Sequence, residues 1–551
     1  MKRHLRKVAF LGILVSAGAG CQMGTVTGNP SVAPLSGRVQ SASGESLGGV
    51  PLQARRPETN MAVVVYTNKQ GEYAYPEDLS PGLYGVNIQV SGFQHVTKEG
   101  VNVTKGKPTR LDFSLEPATP PLSELTASEV LLALPGTDKI KAEAARCSNC
   151  HSLQFALGRK RDRATWLKTI EMMRGITPSG VMQAPEVVRP ILQQTAKTNQ
   201  ELADFMAAVA SPDSPPLPAK LLPRPTDDAS TRITITEYFI PRGAVSVTLR
   251  GDTKGAWLHD VLPDGKGNIW YTDHFANVLG RLDPKSGEIK EFRYAHSKPG
   301  KQEGALQHTF DKQGNIWLGV LWQGTIGKFD PRTEKFNLWT IAEDARLGMV
   351  AMDSSGNAWA VSSPTSGVYK LDPKTGKFTK YPIPTQKGVY GMALDSKDRV
   401  YFCEMEAGKI GRFDPKTEKF TEWDTPTPDS GPRRLDIDAQ DRFWFGEFYA
   451  GKIGMFDPKT ETIREWAIPG NPYAAPYDVA VDNKGNAVWA NDFNNNRVYR
   501  FDVKTEKFTE FLLPEPNVEI RHLFVDDSTT PSTVWIPDYS PPGKILKLQA
   551  W

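Results

Sequence analysis

Cys147-Ser-Asn-Cys150-His151 is the stretch of this 551-residue chain whose residue types and spacing dictate chemistry most directly. Two thiols so spaced can each add to a haem vinyl group, and the adjacent imidazole then stands at the iron. Cys-x-x-Cys-His therefore reads as a c-type haem attachment site. The alternatives are a zinc site and a redox dithiol. Zinc would need further Cys or His ligands, but His151 is the only His between residues 96 and 258. With no second His, a methionine thioether is the expected sixth iron ligand, which raises the reduction potential relative to bis-His ligation. Met172, Met173, Met182 and Met206 are available. Met206 shares an apolar helix face with Leu202, Phe205 and Val209, which reads as core. An open or water-bound position is the other outcome.

A second set of chemistry-bearing residues is spread along the C-terminal part. An aromatic strand residue recurs at Trp270, Trp317, Trp359, Tyr401, Trp444, Trp489 and Trp535. Three residues after each stand Asp273, Val320, Ser362, Glu404, Glu447, Asp492 and Asp538, five of them acidic. Before the aromatics lie His259, Asp260, His308, Arg433, Arg434, Asp478 and His522. If these strands line an axial funnel, one mouth carries carboxylates with His and Arg, fit for a cation, a metal or a polar ligand. The alternative is that the acids only satisfy backbone amides and Arg partners.

The elements that must position these residues follow from the pattern. The aromatics recur every 42 to 47 residues, most with a Gly- or Asn-bearing turn before and an "EKFTEW"-type strand after. Four strands per repeat, seven times, predict a seven-bladed β-propeller over residues 233–551. The last repeat lacks its outer strand, and Ile233-Thr-Ile-Thr-Glu-Tyr-Phe239 has that strand's character, so it is expected to close the ring. Residues 122–212 read as a small all-α domain, with Ser128 as a helix N-cap and helical runs over 163–173 and 199–209. Residues 213–232 are Pro-rich and read as an extended linker. Residues 34–117 alternate apolar positions between Gly and Pro turns, an Ig-like β-sandwich. The fold class is thus mainly β and multidomain.

Composition bounds the rest. With 66 Lys+Arg against 63 Asp+Glu, nucleic acid is not the expected partner. Residues 1–21 have a basic start, a short apolar run and small residues before Cys21, which reads as an export signal. Ala19-Gly20-Cys21 resembles a lipoprotein box, but Gly18 stands where that pattern has an aliphatic residue. Lipidation of Cys21, and with it a membrane tether, stays open beside plain export to the periplasm or cell envelope. Cys403, alone in a strand-like run, reads as a small buried apolar residue.

Three resemblances add to this. "SGRV…GGVPLQA…TNKQGEYAY…LSPGLYGVNIQVSGF" resembles the carboxypeptidase regulatory-like domain, which implies a spacer or adhesion module without chemistry. Residues 122–212 resemble a single-haem cytochrome c domain, and Trp166-Leu-Lys-Thr-Ile-Glu-Met-Met173 is similar to a helix of quinohaemoprotein amine dehydrogenases. That likeness implies Met173 as the iron ligand, with Met182 and Met172 as rivals. The propeller, through its "GNxW", "GKIGRFDPKT" and "FTEWxxP" elements, resembles the streptogramin B (virginiamycin B) lyases. The resemblance implies a magnesium-dependent carbon–oxygen lyase with His259 and Asp273 at two catalytic positions. Trp257 replaces an expected upstream acid, and Arg521 stands where another His belongs; Glu519, Arg521 and Asp538 in the last blade form another incomplete set. Ring-opening of streptogramin B compounds is therefore expected to be negligible. The preferred reading is an exported haem c protein that exchanges electrons with a redox protein or quinone-linked chain, its propeller binding a small polar ligand. The alternatives are the lyase, with Mg2+, and a non-catalytic scaffold.

Overall fold

The computed structural model describes residues 33–146, 153–176, 185–242, 255–363, 365–516 and 518–550. Cys147, Cys150, His151, Met182 and the leader with Cys21 lie outside the described residues. No helix among the described residues is long and apolar enough to cross a membrane.

The C-terminal part folds into seven four-stranded antiparallel blades. Blades 1 to 6 span residues 258–293, 308–340, 347–382, 392–424, 432–467 and 476–512, and blade 7 spans 524–550. The repeated turn explains the repeated aromatic. In blade 5 Asp438 accepts from the Gln440 and Arg442 amides at 2.9 and 3.0 Å and from the Trp444 indole N–H at 3.0 Å. Asp353 and Asp311 hold Trp359 and Trp317 alike, at 2.9 and 3.0 Å. One carboxylate thus closes the turn and satisfies the indole of a buried ring. In the next strand, Gly411 and Gly454 lie so close to the Phe402 and Phe445 rings that a Cβ would stand 2.1 and 2.3 Å from them. Cys403 is fully buried in blade 4.

Ring closure follows the sequence expectation. Ile233–Phe239 pairs antiparallel with Lys544–Ala550 and becomes the outer strand of blade 7. Its free edge does not face solvent. Met61–Tyr66 of the β-sandwich pairs with it, so blade 7 and one sandwich sheet form a single eight-stranded sheet. Val64 and Tyr66 pack into the blade core, and the Tyr66 hydroxyl donates to the Leu512 carbonyl at 2.5 Å. Buried Lys544 binds Glu237 at 2.7 Å, and Gln53 of the sandwich donates to the same carboxylate. The N-terminal domain is therefore knit into the ring and is not a detached spacer.

The intervening helices are α1 (Ala127–Ala133), α2 (Asp138–Ala145), α3 (Leu153–Gly158), α4 (Arg163–Arg174) and α5 (Pro185–Ala210). Three local expectations are corrected. The N-cap of α1 is Thr126, not Ser128, because Thr126 forms a capping box with Glu129. The 199–209 run is the end of the longer α5, which continues through Pro190. The Pro-rich linker ends in a helical turn, Asp228–Thr231, capped by Asp227.

Ser128 has another task. Its amide donates to the Asn494 carbonyl at 2.9 Å, and its hydroxyl accepts from Asn471 at 2.9 Å. Tyr473 of the propeller packs against the helical core. The helical domain thereby sits on the propeller face formed by the loops after each second strand and before each first strand.

Candidate functional site

The axial cluster is built by β-bulges. In blade 1 the pairing passes from Leu258↔Asp273 to Val261↔Tyr271, so His259 and Asp260 together oppose one residue. The same shift occurs at Arg433-Arg434 in blade 5 and at Tyr477-Asp478 in blade 6. A bulge breaks the strict alternation of faces and re-aims side chains. Three blades thus bring consecutive polar side chains toward the axis.

Asp260 is the hub. Its carboxylate receives His259 Nδ1 at 2.5 Å and Arg434 from across the ring, Nη2 at 2.7 and Nη1 at 3.1 Å. His522 Nε2 stands 3.6 Å away, and Asp478 lies 3.6 Å from Arg434 Nε. All five residues are buried. Burial alone would raise the Asp260 carboxyl, but Arg434, His522 and His259 pull it well below the usual range. Asp478 has weaker compensation. Burial pushes it up to about 7, against Arg434. Burial lowers His259 and His308 to about 4 and His522 to about 3, so all three are neutral at pH 7. Since Asp260 is ionised, His259 Nδ1 carries the hydrogen, and Nε2 is a buried acceptor without a hydrogen-bond partner.

An aromatic and guanidinium layer covers the cluster on the mouth side. Arg433 lies 3.7 Å over the Tyr477 ring, and Arg521 lies 3.6 Å over Tyr539. His274 bonds the Tyr539 hydroxyl at 2.7 Å and stacks on Trp322. Trp257 packs edge-on against Phe275 and Tyr539.

His259 and Asp273 have separate partners. Asp273 accepts from Arg242 at 2.5 Å and from the Trp257 and Phe275 amides at 3.0 and 2.8 Å. Arg242 also binds Glu291 in the outer strand of the same blade. The other acids behind the aromatics have different neighbours. Glu404 faces Glu422, Glu447 faces Glu465, and Asp538 lies beside Lys544. Asp492 accepts from the Ala475 and Asn494 amides and from Asn471. Asp273, Asp492 and Asp538 thus have partners within or between blades, whereas the oxygens of Glu404 and Glu447 are buried without a hydrogen bond. Among the described residues no group of three or more His, Cys, Asp or Glu is placed to hold a metal ion. Asp273, already held by a guanidinium and two amides, does not fit a magnesium site.

Met172 and Met173, at the end of α4, are 48% and 38% exposed, whereas Met206 is core. A cleft of about 540 Å3 separates the helical domain from the mouth of blades 6 and 7. Nothing in the sequence pointed to it, because it forms between two domains.

The virginiamycin B lyase family profile matches residues 295–540, and the carboxypeptidase regulatory-like domain profile matches residues 34–116. The first match begins after blade 1 and so leaves out His259 and Asp273. No curated protein matches the chain. A solved streptogramin B lyase is 22% identical with a TM-score of 0.51, covering 59% of this chain and 99% of its own. A catalytically inactive variant of virginiamycin B lyase from Staphylococcus aureus, solved with quinupristin, is 21% identical with a TM-score of 0.50, covering 57% and 99%. At such identity the likeness shows the fold. With the family match it supports a lyase-like propeller fold, and the two family matches leave the helical domain untouched. The C-terminal domain is a virginiamycin B lyase-like propeller, and the N-terminal domain is carboxypeptidase regulatory-like.

Proposed function

We propose that this chain is an exported protein whose propeller axis is a proton-transfer site for a polar small molecule, with carbon–oxygen lyase chemistry as the reaction class. One observation carries the reading: His259 Nδ1 is engaged by Asp260 at 2.5 Å while its buried Nε2 has no partner. A carboxylate that fixes one ring nitrogen as N–H leaves the other as an acceptor, the state a general base needs. Arg434 keeps Asp260 ionised, and Asp260 in turn orients the imidazole. The resulting base is neutral at pH 7 but holds a captured proton weakly. His274 and Tyr539 pack against His259, so substrate reaches Nε2 only when this layer moves aside.

The substrate class differs from the streptogramins, because Trp257 and the Arg242-bound Asp273 leave the lyase carboxylate set incomplete. Mass spectrometry of the full chain incubated with quinupristin and magnesium is expected to show no His259-dependent linear product. Product that disappears in His259→Ala would establish the narrower streptogramin reading. The acid–base reading is checked separately by histidine 15N NMR. A neutral His259 carrying its proton on Nδ1 is expected at pH 7, and an imidazolium there would remove the base.

A second reading, haem-linked electron transfer, is favoured by the flanks of the Cys-x-x-Cys-His motif. Arg146, directly before Cys147, lies 5.7 Å over the Tyr449 ring of blade 5. Gln154 and Phe155, just after the motif, line the cleft against Phe493, Asn494 and Asn495. In this reading Cys147 and Cys150 attach haem c, His151 ligates the iron, and exposed Met173 is the sixth ligand. The group would supply one-electron chemistry beside the propeller mouth. A Cys147→Ala/Cys150→Ala double variant is expected to lose haem that survives denaturing electrophoresis, and its retention would sink this reading. Met173→Ala is expected to lower the reduction potential.

A further inference from the structure

We propose that Arg346, with the aromatic stack beneath it, forms a site at the propeller mouth for the carboxylate of a small aromatic organic acid. The helical domain leans on the loops of blades 5 and 6, through Arg146 over Tyr449 and Ser128 against Asn471 and Asn494. Arg346 lies across the ring from these contacts, in the loop that leads from blade 2 to blade 3. Four flat groups are stacked there. Phe275 lies on His274 at 4.6 Å, His274 on Trp322 at 5.4 Å, and the Arg346 guanidinium 4.9 Å over Trp322. The Trp322 indole N–H donates to the His274 carbonyl at 3.3 Å, and the Arg346 amide donates to the Ser362 hydroxyl at 2.9 Å. The guanidinium is therefore in position before a ligand arrives, which lowers the ordering penalty of binding.

The charges around Arg346 name what it would take. Asp344, two residues away, pairs with Lys301 at 2.8 Å. Glu343 accepts from the Tyr369 hydroxyl at 2.6 Å and lies 3.6 Å from Lys380. Both nearby acids have partners of their own, and no carboxylate among the described residues is within ion-pairing distance of Arg346. Burial lowers its guanidinium to about 10, against the pull of Asp344, so it is a cation at pH 7. A part-buried cation without a counter-ion is costly until an anion supplies one. Of its three side-chain nitrogens only Nη1 is buried. Nε and Nη2 reach solvent from a part-exposed side chain, and together they offer the two-pronged edge that a carboxylate accepts. One positive charge beside two acids suits a monoanion rather than a phosphate dianion.

The ring edges state the rest of the ligand. Trp322 and Phe275 are part-exposed, as is Trp257, which meets Phe275 edge-on at 5.3 Å. Arg346 and His274 cover the two faces of Trp322, so edges are what the stack presents. Edges carry the positive rim of the aromatic quadrupole, on which the face of a ligand ring packs well. The inference takes the mouth as the ligand's entrance, as the function proposed above does, but needs no proton transfer at His259.

3-Phenylpropionate is the probe, titrated into the full chain at pH 7 and followed by saturation-transfer NMR. Saturable binding in the millimolar range is expected for so small a ligand. Arg346→Gln, at a part-exposed position, should fold normally by circular dichroism and weaken binding at least about tenfold, the loss of a charged hydrogen-bonded pair. 3-Phenylpropanamide, neutral and of the same shape, should bind the parent chain at least about tenfold more weakly, a comparison that needs no variant. The proposal is overturned if the acid shows no saturable binding, if folded Arg346→Gln binds it as well as the parent chain, or if the amide binds equally. An imidazolium at His259 in the histidine NMR experiment would remove the base and leave this binding as expected.

Discussion

Arg434 and Asp260 come from blades 5 and 1 and meet across the axis, both buried. Removing one partner of such a pair strands the other charge without water. Arg434→Met is expected to lower stability by about 3–5 kcal/mol in denaturant unfolding. The Arg434→Met/Asp260→Asn double variant should recover much of that, and equal losses in both variants would show that the ion pair is not the cause. At this scale the sequence displayed the residues but not the partners that hold them. His259, Asp260, Arg434, Asp478 and His522 were legible as inner-strand residues. His259 and Asp273 are held by separate partners, and the bulge at 259–260, which re-aims the side chains there, has no sequence signal. The Cys-x-x-Cys-His motif is the reverse case: its haem reading rests on five adjacent residues of sequence that lie outside the described residues.

Within blades, the buried carboxyls set a pH dependence. Burial, helped by Glu422, raises Glu404 to about 7, and burial, helped by Glu465, raises Glu447 to about 8. In the unfolded chain both ionise near pH ~4. Between these values the fold holds more protons than the unfolded chain, so stability falls as pH rises. Calorimetry between pH about 6.5 and 8, above the range in which the buried neutral histidines act with the opposite sign, is expected to show a declining Tm. Glu404→Gln/Glu447→Gln should flatten part of that slope, because the amides do not ionise. An unchanged slope would place the proton uptake elsewhere. The Thr385 and Thr427 hydroxyls bind the partner carboxylates Glu422 and Glu465 at 2.6 Å from the preceding inter-blade loops. The repeated "FTEW" glutamate is thus an inter-blade latch. Blade number and anchor residues were legible because both recur with the repeat. The latch was not, since its Thr lies outside the repeated strand and pairs across a blade boundary.

For the molecule as a whole, the decisive feature is the strand Ile233–Phe239, bonded on one edge to blade 7 and on the other to the β-sandwich. A chain beginning at Asp227 would bare that second edge and remove Val64 and Tyr66 from the blade core. It is expected to melt at lower temperature and to self-associate in light scattering, as exposed strand edges do. A monodisperse truncated chain with unchanged Tm would mean the shared sheet contributes nothing. Closure by this strand was legible from the missing outer strand of the last repeat. Its second partner was not, because an apolar strand in a sandwich looks the same whether it faces its own sheet or a neighbour's. The arrangement also bears on how the chain is made. The N-terminal sandwich and Ile233–Phe239 leave the ribosome some three hundred residues before Lys544–Ala550, the strand that must join them. Long-range pairing of that kind is slow and aggregation-exposed. With Met61–Tyr66 already aligned against it, the waiting strand has one side occupied and its register set. Lys544–Ala550 docks onto a template that was finished before it.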